Sequence, residues 1–384
     1  MPSDTALAAL SNTLINSATA LYTLAALAFM AIFAYRGAPA RERSVPAAVP
    51  ERVLVGSGAP VPAPPGPAGD PDGPPAGGPP SAEPEQARAL SAENFGRYAV
   101  ALTALGWTVQ LAALTTRGLA AHRVPWANMY EFVCAVTFAA VTALLVLFGR
   151  GRTYYLGAFV VFPVVVGLGL ATTVLYTPVS PLQPSLHSYW LAIHVLAAIV
   201  ATGAFTVAAA LAAVYLYQSS ARGLAAAAAA GSTSAGSASA GSASAGSTSA
   251  GSLSAGSASA ASAEDDGSRA FTVAAIAARL PSAATLERLA RQTILFAFPI
   301  WTFAIIAGAI WADSAWGRYW GWDPKETWAF VTWIVYAAHL HARNTRGWSG
   351  RRAAVISLVG YGCLLYNLVG INIWGSGLHS YAGV

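Results

Sequence analysis

Trp316-Gly317-Arg318-Tyr319-Trp320-Gly321-Trp322-Asp323-Pro324-Lys325-Glu326-Thr327-Trp328 is a short polar loop crowded with aromatic rings. Apolar helical runs flank it, about 293–312 before and 327–343 after. Six of the chain's twelve tryptophans fall between Trp311 and Trp333. Two membrane helices joined by an aromatic loop at a membrane face is the reading that this arrangement imposes. A flat, electron-rich surface in that position is what a large planar cofactor needs. The loop also carries Lys325, the single lysine in a chain whose other basic residues are arginine.

The rest of the chain agrees with a membrane setting. Hydrophobic residues make up 55%, charged residues 10%, and the mean hydropathy is +0.52, which excludes an ordinary soluble protein. Eight apolar runs are long enough to cross a hydrocarbon core of about 30 Å. They lie at about 14–36, 98–116, 128–148, 154–176, 189–217, 293–312, 327–343 and 353–373. The expected fold class is therefore an all-α polytopic membrane protein of about eight transmembrane helices. The first run is longer than a signal h-region and no small-residue cleavage site follows it, so it reads as a membrane helix.

Arginine placement orients the bundle. With the N-terminus outside, inner segments carry 17 basic residues and outer segments carry 4. The flipped model reverses this bias. The tryptophan loop and the C-terminus are thus expected on the outer face, and the net charge of +5 is a topological signal rather than a nucleic-acid one.

The domain organisation follows: a first transmembrane helix over 1–36, helices two to five over 96–217, and helices six to eight within 285–384. Residues 37–95 are rich in Pro, Gly and Ala, and residues 218–284 hold a poly-Ala run and a degenerate Ala/Gly/Ser repeat. Neither can bury enough apolar surface to offset ordering entropy, so both read as disordered cytoplasmic linkers. From about Pro281 to Gln292 the pattern is that of a short amphipathic helix at the inner interface. Cys134 and Cys363 sit inside helical runs without a CxxC pair, which points to buried small residues rather than thiol chemistry.

Within the loop, Asp323 and Glu326 have two readings. Asp323-Pro324-Lys325-Glu326 is a capping box that starts the seventh helix, and the same carboxylates can serve a site. An aromatic belt accounts for Trp107, Trp190, Trp301 and Trp374. It accounts poorly for Trp316, Tyr319, Trp320 and Trp322, crowded into one Gly-containing loop. Four of the six histidines fall on the outer side. His194 lies just inside the fifth helix, and His379 lies just beyond the eighth. Two imidazoles converging over an aromatic platform make an axial pair for haem iron. His339 and His341 are about 200° apart on a helix, so at most one faces a given site.

These residues resemble a known family. Trp316–Trp328 is similar to the tryptophan-rich WWD signature of haem-handling proteins. The continuation to Arg343 and the ending Gly377-Leu378-His379-Ser380-Tyr381 resemble the CcsA family, also called ResC and in some genomes CcsB. Val124-Pro125-Trp126-Ala127-Asn128-Met129-Tyr130-Glu131 and Ser188-Tyr189-Trp190-Leu191-Ala192-Ile193-His194-Val195 fit it as well. The likeness covers about 98–217 and 285–384. Tyr319 stands where the broader signature has a Trp, which is compatible with CcsA and disfavours the related CcmC.

The resemblance implies a System II cytochrome c synthase component in the bacterial plasma membrane, working with a ResB/CcsB-type partner. It implies that haem b is carried to an external site and joined by thioethers to the CxxCH motif of an apocytochrome c. Thioredoxin-like thiol reductants are further implied partners. The implied external iron ligands are His194 and His379, with His187 as the alternative to His194. The implied inner ligand is His341, its mate on the partner chain. The macrocycle would lie on Trp316, Tyr319, Trp320, Trp322 and Trp328, beside Asp323. Arg318 and Lys325 either pair with its propionates or contact lipid headgroups. Rival readings are a bis-histidine membrane cytochrome b, a haem exporter without synthase activity, and a haem-free secondary transporter; the last lacks the internal repeat it needs.

Overall fold

The computed structural model describes residues 2–35, 83–150, 154, 156–180, 188–241, 280–345, 348–375 and 377–379. Among these the chain is all-helical, without a strand. The helices are α1 (Pro2–Tyr35), α2 (Glu83–Ala121), α3 (Met129–Arg150), α4 (Leu156–Thr173), α5 (Tyr189–Gly241), α6 (Ala283–Trp316), α7 (Pro324–Asn344) and α8 (Arg351–Leu365). A π-helical turn, Tyr366–Gly370, and a last short helix, α9 (Ile371–Trp374), extend α8.

Seven of these helices are long and apolar enough to cross a membrane. α7 is the exception, because Lys325, Glu326, His339, His341 and Arg343 lower its hydropathy. Its 21 residues still span about 31 Å at 1.5 Å per residue. The chain is thus a polytopic helical membrane protein.

Element boundaries differ from the compositional reading in three places. α2 begins at Glu83, inside the stretch assigned to a linker, and α5 continues to Gly241, inside the second. The segment read as a separate interfacial helix is instead the start of the continuous α6. The Ser282 hydroxyl caps that helix by accepting from Thr285 N, and Leu286 is fully buried. Glu287 pairs with Arg343 of α7 at 2.8 Å. Those contacts hold the polar turns in line with the membrane part, so no break is needed. The central parts of both linkers and His187 lie outside the described residues.

Packing divides the bundle into two halves. α1 packs on α2 and α4, and α3 on α2 and α4, around Tyr22, Phe29, Leu144 and Leu168. Buried polar groups cross this half: Tyr22 Oη donates to Gln110 Oε1 at 2.8 Å, and Gln110 Nε2 donates to the Cys134 carbonyl at 3.0 Å. Satisfied polar pairs of this kind join helices in an apolar medium. Cys134 is buried and Cys363 partly buried, both as free thiols.

In the second half α5 packs on α6 and α8, and α7 on α6 and α8, around Phe205, Trp301, Tyr336 and Leu364. The Phe205 and Tyr336 rings stack with centroids 3.9 Å apart. α3 and α5 join the halves. A Cβ on Gly203 of α5 would stand 2.8 Å from Ala140 N, so the glycine sets how closely the two helices approach.

Candidate functional site

The tryptophan loop is built by two helix ends. α6 stops at Gly317, whose φ of 69° is left-handed and whose N–H donates to the Asp313 carbonyl. α7 starts with the capping box expected from the sequence. The Glu326 carboxylate accepts from Gly321 N at 2.8 Å and Asp323 N at 3.1 Å, and Asp323 accepts from Lys325 N at 3.3 Å. The loop is thereby fixed rather than draped.

Behind the loop lies a cavity of about 190 Å³ between α5, α6, α7, α8 and the residues that open α3. Both His194 and His379 line it. His194 Nδ1 donates to the Ala304 carbonyl of α6 at 2.7 Å, the acceptor fixing the proton on that nitrogen. Nε2 is left with its lone pair. His379 Nδ1 bonds Asp323 Oδ2 at 2.8 Å, so Nε2 is the nitrogen of that ring that would take a metal. Trp311, almost fully buried, touches both imidazoles, stacked on His194 at 6.2 Å and edge-on to His379 at 5.7 Å.

Asp323 therefore does more than start a helix. Its Oδ1 accepts from Leu378 N at 2.7 Å, which pins the C-terminal segment that carries His379. Burial raises the Asp323 carboxyl, but the hydrogen bonds from His379, Leu378 and Lys325 outweigh it and hold it below the ordinary carboxylate value. A carboxylate that orients a histidine ring is a recurrent support of metal ligands. Glycines make room for the His194 ring and for the Asp323 carboxylate. A Cβ on Gly308 would stand 2.7 Å from His194 Nδ1, and one on Gly377 2.5 Å from Asp323 Oδ1.

The aromatic platform differs in part from the expected one. Trp316, Tyr319 and Trp320 line the cavity, as does Lys325. Trp322 does not: it is 66% exposed, has a left-handed φ of 58°, and packs outward on Trp320 and Phe330. Trp328 points elsewhere too, packing on Tyr366 with centroids 4.3 Å apart. Arg318 folds back over its own loop; a Cβ on Gly321 would overlap its guanidinium. Trp126 and Trp301 line the cavity instead, although Trp301 reads from sequence as a belt anchor. Its burial and the bond from Nε1 to the Ala329 carbonyl at 3.3 Å place it inside the protein. Glu326 and Asn128 line the cavity, and among the described residues Glu326 Oε1 and Asn128 Nδ2 are buried without a hydrogen-bond partner.

His341 sits near the far end of α7 on its exposed side, while His339 is buried toward α8. The two rings diverge as their spacing requires. Neither joins the cavity that holds His194 and His379.

The donor set suits an iron porphyrin. Two imidazoles line one tryptophan-lined space, and each has its Nδ1 tied down, His194 on the Ala304 carbonyl and His379 on Asp323. This is a polytopic helical membrane protein in which two histidines and several tryptophans line one cavity.

A family model for the cytochrome C assembly protein matches residues 126–379. Cytochrome c biogenesis protein CcsA of Gloeothece citriformis is 33% identical over 283 residues, 70% of this chain and 83% of that protein. The CcsA of Picosynechococcus is 33% identical over 304 residues, 75% of this chain and 88% of its own length. This chain therefore belongs to the cytochrome c assembly protein family, among the CcsA proteins. Among solved structures, the cytochrome c heme lyase CcmF shares the fold with a TM-score of 0.51 at 17% identity. That likeness covers 97% of this chain, which spans half of the CcmF chain.

Proposed function

We propose that this protein carries haem b through the plasma membrane of a bacterium and presents it for covalent attachment to apocytochrome c. The observation that carries the reading is the pair His194 and His379 on either side of Trp311, each with Nδ1 committed to a fixed acceptor. The family membership and the CcsA relatives support it.

In this reading His194 and His379 hold the iron, and Trp311, Trp316 and Trp320 flank the macrocycle. Haem supplies two vinyl groups; each cysteine thiol of a CxxCH motif adds S–H across one of them, with no net electron transfer. The chain's own task is placement. Asp323 and Ala304 set the two ring orientations, Trp301 and Trp126 exclude water from the cavity, and Lys325 presents a cation to a propionate. In this reading the tryptophan loop and C-terminus face outward, which the arginine bias supports. His341, exposed on α7 at the opposite end, is available to share an inner haem with a ResB/CcsB-type partner. The synthase activity belongs to that complex, and thioredoxin-like reductants keep the client thiols reduced.

The test is co-expression with the partner and an apocytochrome c, with absorbance spectra of the purified complex. Wild type should carry haem and yield holocytochrome. His194→Ala and His379→Ala should each lose both. Haem bound without any cytochrome product would favour the membrane cytochrome b or the exporter; no haem at all would favour the transporter. Wild-type spectra in both variants would make the axial pair wrong and turn attention to His187.

A further inference from the structure

Asn128 precedes the first turn of α3 and is 7% exposed. Its Oδ1 accepts the Glu131 N–H at 2.9 Å, which is the bond of a helix N-cap. That commitment fixes the orientation of the amide. The oxygen faces the helix, so Nδ2 takes the other side of the amide; Asn128 lines the cavity, and among the described residues its Nδ2 makes no hydrogen bond. A buried donor left in this state costs free energy unless a ligand accepts from it.

The surroundings select the ligand's charge. Nδ2 stands at the positive end of a 22-residue helix. Directly behind it, Glu131 is held by Arg117 at 3.0 Å and Arg123 at 2.7 Å, all of them buried or nearly so. Two guanidinium groups against one carboxylate leave one positive charge in excess. Neutral and cationic ligand groups gain little there, whereas an anionic acceptor gains from both the dipole and the excess charge.

We propose that Asn128 binds a carboxylate of the macrocycle, donating from Nδ2 to one propionate at the start of α3. The inference rests on the haem reading given above. It places one acidic edge of the ligand toward α3, where no sequence motif for anion binding exists.

The test uses the purified full-length protein in detergent. It is titrated with iron(III) protoporphyrin IX and, separately, with the dimethyl ester of the same compound, following Soret absorbance at about pH 8. Asn128→Asp keeps an oxygen for the Glu131 N–H, so the cap survives, but it turns the cavity-facing donor into an acidic acceptor. The free acid should then bind about tenfold or more weakly, and the diester within about threefold of wild type. Asn128→Ser also caps but is too short to reach, and should weaken the free acid alone, by about threefold or more. Equal weakening of both ligands, or no change in either, overturns the assignment and leaves the haem reading standing. A wild-type protein that binds neither compound overturns both.

Discussion

Gly308 of α6 and His194 of α5 touch across the helix interface, and the glycine's missing side chain is what lets the imidazole reach the Ala304 carbonyl. A Cβ at 308 would stand 2.7 Å from Nδ1 and 2.8 Å from Cε1. Gly308→Ala should therefore move the ring and break the bond that fixes its proton. In the helix itself the change is favourable by about 0.5–1 kcal/mol. The expected outcome is a protein with near-normal thermal stability and haem affinity lower by roughly tenfold or more. Loss of stability together with loss of haem would instead mark a packing defect.

Asp323→Asn separates the two duties of that residue. Asparagine is as good an N-cap as aspartate, so α7 should start normally. The charge that orients His379 is lost, and with it about 10- to 100-fold in affinity for haem. Circular dichroism melts should stay close to wild type while haem titration shifts. If both stay unchanged, Asp323 serves the helix alone.

The tryptophans should divide by where they point. Trp320 lines the cavity, and Trp320→Ala should weaken haem retention by about 1–3 kcal/mol. Trp322 and Trp328 face away from it, so alanine there should cost much less. Haem retained after detergent washing, compared at equal protein, checks the order. A larger loss at Trp322 would put the macrocycle outside the loop rather than behind it.

Glu131 is the acceptor for two arginines and for the Ala127 N–H at 2.9 Å. Glu131→Gln leaves two buried guanidinium groups without a counter-charge, a defect worth about 3–5 kcal/mol. The loop with Trp126 and Asn128 should loosen with it. Lower thermal stability and faster proteolysis between α2 and α3 are the expected readouts. Glu131→Gln with wild-type stability would mean that the arginines find other partners.

The helices were legible because apolar runs of membrane length need no tertiary information. The histidines at positions 194 and 379 were legible because an ionisable ring near a membrane-helix end stands out against so apolar a sequence. Ring direction was not. Trp316, Trp320 and Trp322 are close in sequence, but the left-handed backbone at Trp322 turns it out of the cavity. Trp301 reads as an interface anchor because only the packing of α6 on α7 shows it to be internal. Gly308 carried no signal, and Asn128 stood out only within the Val124–Glu131 resemblance, since their importance comes from partners on other helices or from a cap that fixes an amide. The continuity of α6 was hidden because its first turns are polar, and the contacts that support them come from α7.

His341 offers the last test, because it stands apart from the cavity of His194 and His379. His341 is exposed while His339, two residues earlier, is buried, so the two variants should differ. His341→Ala removes nothing from this chain's own packing and should leave its stability unchanged. If the residue holds haem on the way in, the complex should contain less haem at the outer site, and cytochrome c yield should fall in proportion. Imidazole added to cells should restore part of the yield by filling the open axial position. His339→Ala should instead lower stability, since it empties space between α7 and α8, with haem content per folded protein near wild type. A stable His341→Ala complex with full haem content would exclude an inner site at this position.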